Sequence, residues 1–163
     1  SVSMTTGVLA GETYVDRSGY AVSGYDVVAF FDMKQAAVGE KQPAAVPGNK
    51  LIYATYNGAS YAFSTMENRA RFMADPARYV PQFDGHCAYS VLSNVKQPGN
   101  PHHWRIVGDK LYLMKKASVV PLWENKFFYN INAANDVWPE IASDLASRDK
   151  VIGMEIDAAP YEG

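Results

Sequence analysis

The sequence predicts a mixed α+β fold: a small antiparallel sheet built from hairpins, with helices on one side of it and a helical C-terminal third. Three observations predict it. Runs of β-forming residues flank the two-residue turns Asn57-Gly58 and Gly108-Asp109. The S-x-x-E spacing of Ser64 and Glu67 opens a helix directly after the first hairpin. The stretch 118–149 reads as helices, with Ser118 as a cap and Pro139 as a restart.

The elements follow in order. Residues 1–24 are polar and contain Gly, and read as an arm with little order of its own. "DVVAFF", 26–31, is a short apolar run and predicts a buried strand. Residues 34–50 carry two Pro and two Gly and read as a loop. "LIYATY-NG-ASYAF" predicts the first hairpin, because Asn-Gly accepts positive φ at both central positions of a type I′ turn. In the helix that follows, Met66, Ala70 and Met73 fall near one face, and Asp75-Pro76 ends it and caps a short further turn. Ala88, Val91, Leu92 and Val95 stand at i, i+3, i+4 and i+7, which predicts an amphipathic helix from Gly85. "QPGNP" breaks it, and "WRIV-GD-KLYLM" forms the second hairpin. No internal repeat is visible.

The totals bound the function. A chain of 163 residues, 48% hydrophobic and 20% charged, suits one domain with a real core. The net charge of −2 and the absence of a Lys/Arg run remove the usual signal for nucleic acid or anionic membrane. No apolar stretch reaches the roughly 18 residues of a membrane helix. A single cysteine excludes an internal disulfide. The chain opens on Ser1 rather than Met, as a protein with its leader removed would; a periplasmic or otherwise exported location is expected, with a cytoplasmic one as the alternative.

The candidate chemistry lies between residues 86 and 103. Cys87 is the only cysteine, His86 adjoins it, and His102 and His103 follow. In the first turn of a helix, backbone N–H groups and the helix dipole stabilise a thiolate. A thiolate with imidazoles suits copper first and zinc second. The spacing H-C-x14-H-H matches no standard zinc pattern, and a free cysteine beside an apolar stripe equally well packs as a small hydrophobe. Tyr25, Asp26, Tyr89 and Trp104 are the candidate contacts to a small molecule; Asp26 is also placed to cap a turn.

Several stretches together resemble the stand-alone YHS-domain family: "GYDVVAFF" (24–31), "YNGASYAFSTMENRARFMADPARYVPQFDGHCAYSV" (56–91), "W-x-x-V-x-D-K-L-Y-L" (104–113) and the downstream Trp138-Pro139. The resemblance implies an arm over 1–24, a YHS-like domain with a treble-clef-like core over 25–140, and an extension over 141–163. It implies a small bacterial, often exported, domain without a settled reaction. Shorter YHS domains, similar to those attached to copper-transporting ATPases, carry metal-binding cysteines. Ser64 and Asn68 stand where those relatives have Cys, so a metal here requires other ligands. The expected function is a non-catalytic binding module for a transition metal or a small molecule near Cys87. The alternatives are a thiol-dependent enzyme using Cys87, and a protein-interaction domain without chemistry. Oligomers are compatible with all three.

Overall fold

The computed structural model describes residues 11–154. The fold is mixed α+β, with two separate two-stranded antiparallel sheets among the described residues. The first is the hairpin β1 (Asn49–Tyr56) and β2 (Ala59–Phe63); the second is β3 (Asn100–Val107) and β4 (Lys110–Met114). Both turns have positive φ at both central residues, 51° and 77° at Asn57-Gly58 and 56° and 62° at Gly108-Asp109. That is the backbone a two-residue hairpin needs to match strand twist. Helices α1 (Met66–Ala74) and α2 (Pro76–Tyr79) follow the first hairpin, and α3 (Val120–Glu124) and α4 (Phe127–Ile141) follow the second.

The chain contains a structural duplication that the sequence reading missed. Val22, Ser23 and Gly24 have φ of 53°, 53° and 80°, and Phe83, Asp84 and Gly85 have 57°, 54° and 83°. Successive left-handed residues are rare outside glycine, and rarest for a β-branched one such as Val22. Each triplet is a left-handed turn followed by a 3-10 turn, Ala29–Asp32 in one case and Ser90–Ser93 in the other. Tyr25 then bridges to Pro47, and His86 to Pro98. Both prolines open a "PGN" tripeptide leading into a hairpin. Asn49 pairs with Phe63 and Asn100 with Met114, each followed by a bulge before pairing resumes at Tyr53 or Trp104. Even the ring contacts repeat: Tyr61 meets Phe72 at 5.0 Å and Tyr112 meets Trp123 at 5.5 Å between centroids.

Equivalent residues stand 61 positions apart before the connecting loop (25 and 86) and 51 apart after it (47 and 98). The loop is therefore ten residues shorter in the second module. That change of period, with few identities beyond "PGN", hides the repeat from a search at fixed spacing.

Several local expectations change as a result. "DVVAFF" is not a strand. The Asp26 carboxylate accepts the N–H groups of Val28 at 2.9 Å and Ala29 at 3.2 Å, and the chain turns into the 3-10 segment. The helix expected from Gly85 is likewise replaced, by the left-handed turn, a bridge at His86 and Cys87, and the 3-10 turn Ser90–Ser93. Thr65, not Ser64, caps α1, accepting from the Asn68 N–H at 3.0 Å; Ser64 bonds Asp26 instead. Met66 and Met73 are exposed, and Phe72 is the side chain of α1 that enters the core. Lys116 rather than Ser118 precedes the turn into α3. Pro139 lies inside α4 and starts no new helix. From residue 11 onward the expected arm packs on the body: Thr13 and Tyr14 are buried and the Tyr14 N–H donates to Asp84. Residues 1–10 and 155–163 of the expected arm and extension lie outside the described residues.

Among the described residues two apolar clusters form the interior. One gathers Val27, Phe30, Tyr61, Phe63 and Phe72 with Trp104, Leu111 and Leu113 of the second hairpin; the other gathers Cys87, Val91, Tyr112, Met114, Trp123 and Ile141. The modules thus share the first cluster. Among the described residues no helix is long and apolar enough to cross a membrane.

Candidate functional site

The structure separates the residues that the sequence placed together. His86 is fully buried. Its Nδ1 lies 2.9 Å from the Phe83 carbonyl oxygen, which can only accept, so Nδ1 carries the proton. Its Nε2 accepts the Ser147 N–H at 3.1 Å. Both ring nitrogens are engaged, and burial pushes the imidazole pKa down to about 4. His86 is a neutral structural histidine that ties the segment after α4 to the second module. It has no lone pair left for a metal.

Cys87 is also fully buried, in the second apolar cluster. Its N–H donates to Gln97 at 2.7 Å, and it bridges in parallel to Leu113. Cys87 thus stands in a bridge between two 3-10 turns and not in the first turn of a helix, and its thiol is buried. Its counterpart in the first module is Asp26, also fully buried. The carboxylate accepts from Val28 and Ala29 on one oxygen. On the other it accepts from Ser64 N at 2.8 Å, Ser64 Oγ at 2.6 Å and Asn68 Nδ2 at 2.9 Å. Five donors satisfy it and knit the turn to β2 and α1. Tyr89 is half-buried against the second cluster. Among the described residues no three His, Cys, Asp or Glu side chains converge as a metal site would require.

Three predicted residues do come together elsewhere. His102, His103 and Trp104 line a cleft of about 380 Å³ with Lys41, Val120 and Pro121. The His102 Nε2 lies 3.2 Å from the Tyr25 hydroxyl, and the two rings meet edge-on at 4.9 Å. Burial, reinforced by the nearby Lys41 ammonium, lowers the His102 pKa. Burial, then His102 and Lys41, lowers that of His103. Both imidazoles are therefore neutral near pH 7; each has one N–H and one acceptor, and in His102 the Tyr25 hydroxyl already engages Nε2. Trp104 is fully buried with its indole N–H on the Pro43 carbonyl at 3.0 Å.

The cleft wall rests on residues that motif reading passed over. Gln42 donates to the Trp104 carbonyl at 3.0 Å and accepts the Ala36 N–H at 2.7 Å. Arg105 and Glu124 form a buried ion pair. Arg105 also donates to the Ala36 carbonyl at 3.0 Å, and Glu124 accepts the Gly39 N–H at 3.1 Å. These bonds hold the loop 34–46 against β3 and α3. An isolated Arg and Glu 19 positions apart carry no local pattern, so only the fold reveals the pair. No family model matches this chain, and no curated protein or solved structure matches it either.

Proposed function

We propose that the protein is a non-catalytic binding module whose ligand is a small organic acid held in the cleft beside His102 and His103. One observation carries this reading: one cleft is lined by two neutral imidazoles, a lysine and the apolar Val120 and Pro121; of its two carboxylates, Glu124 is paired with Arg105, and Glu40 stands next to Lys41 in the chain. An acid with an apolar body suits such a lining. Its carboxylate would meet the Lys41 ammonium and imidazole N–H groups, and its body the apolar wall. The copper or zinc expected from sequence is less well supported, because His86 is fully engaged and Cys87 packs in the core. The YHS-family resemblance and an exported location belong to the same proposal.

The test is a titration of the full chain with butyrate, hexanoate and benzoate, read on the His102 and His103 imidazole NMR signals. Saturable shifts that weaken at least tenfold in His103→Ala and Lys41→Glu are expected. Acids that leave both signals in place, or that bind the variants equally well, would sink the reading.

A further inference from the structure

The two modules differ in what covers their first strand. In the second, the loop 34–46 lies along the outer edge of β3. The Gln35 carboxamide pairs with both polar backbone groups of Ile106, accepting its N–H at 2.8 Å and donating to its C=O at 3.1 Å. Gln42 donates to the Trp104 carbonyl. A carboxamide offers one donor and one acceptor side by side, so Gln35 stands in for a neighbouring strand.

The equivalent groups in the first module belong to Thr55 and Tyr53. Thr55 opposes Ser60, one pair inside the two-residue turn, so its N–H and C=O point away from β2. Arg69 meets the Tyr53 carbonyl at 2.6 Å, as Gln42 meets that of Trp104. Among the described residues no loop reaches Thr55, because the connection after Ser93 is ten residues shorter than the one after Asp32. What remains is a groove of about 550 Å³ between β1 and α1, lined by Leu51, Tyr53, Thr55, Met66, Arg69 and Met73. Its four large apolar side chains, Leu51, Tyr53, Met66 and Met73, are 52–72% exposed. An apolar patch beside an open strand edge marks an interaction surface.

We infer that this groove docks an extended peptide segment of a partner protein, one that presents a glutamine side chain to the Thr55 backbone and apolar side chains to Met66 and Met73. The occupied groove of the second module is the template: the same chain shows which chemistry fits this edge. The inference is independent of the organic-acid cleft, which lies on the other module.

The probe is a synthetic fluorescein-labelled peptide of the loop itself, MKQAAVGEKQPAAV, added to the full chain. Saturable binding with a dissociation constant of about 1 mM or tighter is expected, a range that suits a short strand-edge ligand. Replacing the peptide's first glutamine by alanine should weaken it at least tenfold. On the protein, Thr55→Pro removes the outward N–H without breaking a β1–β2 ladder bond, and Met66→Asp alters an exposed position; each should weaken binding at least fivefold, the second with the unfolding midpoint nearly unchanged. No saturable binding, or binding indifferent to both variants, would overturn the inference. So would peptide-induced NMR shifts at 104–106 instead of 53–56, which would mean displacement of the resident loop. A dimer in sedimentation equilibrium that Met66→Asp dissolves would assign the groove to a second copy and overturn the peptide occupant.

Discussion

His86 shows how one buried side chain sets a pH limit. Its pKa is about 4 in the fold and 6.5 in the unfolded chain, so the unfolded state takes up a proton first as pH falls. Its stabilising contribution is complete above pH 6.5 and is lost progressively down to pH 4, by about 3 kcal/mol. His102 and His103, also lowered, add in the same direction. The Asp32 and Glu12 carboxylates, hydrogen-bonded by Arg71 and Arg148 and so held below their usual range, keep their stabilising contribution above the ordinary carboxylate range and lose it only as pH falls through and below that range. Urea unfolding at pH 7 and pH 4.5 should show the loss, and His86→Leu should flatten it while lowering stability at pH 7. A wild-type unfolding free energy equal at both values would refute the assignment. Asp26 supplies a second test at this scale. Asp26→Ala strips five donors of their acceptor and should lower the unfolding free energy by about 3 kcal/mol or more, measured by chemical denaturation. Asp26→Asn, which keeps an acceptor oxygen, should lose less.

The element whose placement decides both surfaces is the loop 34–46. It has no regular structure of its own and is positioned by side chains: Gln35 and Gln42 on β3, and the Arg105–Glu124 pair beneath it. Removing one member of a buried ion pair leaves the other charge uncompensated, which costs about 3–5 kcal/mol, whereas replacing both is far milder. Arg105→Met should therefore destabilise by that amount and raise hydrogen exchange at residues 35–42. The Arg105→Met, Glu124→Leu double variant should recover much of the stability. A single variant with unchanged exchange in the loop would show that the glutamines alone hold it. Helix α4 is secured in a comparable way at its far end. Lys96 donates to the Ala142 and Asp144 carbonyls at 3.1 and 2.7 Å and sits 5.0 Å over the Trp138 ring, a cation at a helix C-terminus.

At the scale of the whole molecule, the duplication does not make two independent domains. Trp104, Leu111 and Leu113 of the second hairpin belong to the core of the first module. Cutting the chain between 80 and 82 would expose that surface on both halves. Each half expressed alone should lack near-ultraviolet circular dichroism and dispersed NMR signals, and the intact chain should unfold in one transition that coincides by near- and far-ultraviolet probes. Two resolved transitions would show the modules to be thermodynamically separate. The duplication also accounts for the difference between the two clefts: one ten-residue difference in loop length covers one strand edge and walls the His102–His103 cleft, while among the described residues the other edge has no such loop.

Features carried by local chemistry were legible in the sequence by itself. Asn57-Gly58 and Gly108-Asp109 specify their hairpins through positive φ, Asp75-Pro76 ends a helix through the missing proline N–H, and Asp26 turns the chain by bonding its own backbone. The α+β class follows from these. What only the tertiary structure decided rests on contacts between residues far apart in the chain. The apolar periodicity of 88–95 suggested a helix. The Cys87 N–H instead donates to Gln97 and the Ala88 N–H to Leu113, so long-range bonds override the local preference. The same holds for the site. His86 and Cys87 adjoin His102 and His103 in sequence, but the bridges to Pro98 and Leu113 bury the first pair while β3 carries the second to the cleft. Proximity along a chain sets the turn and the cap; which side chains share a pocket is settled by hydrogen bonds and packing that form only once both modules have closed on one core.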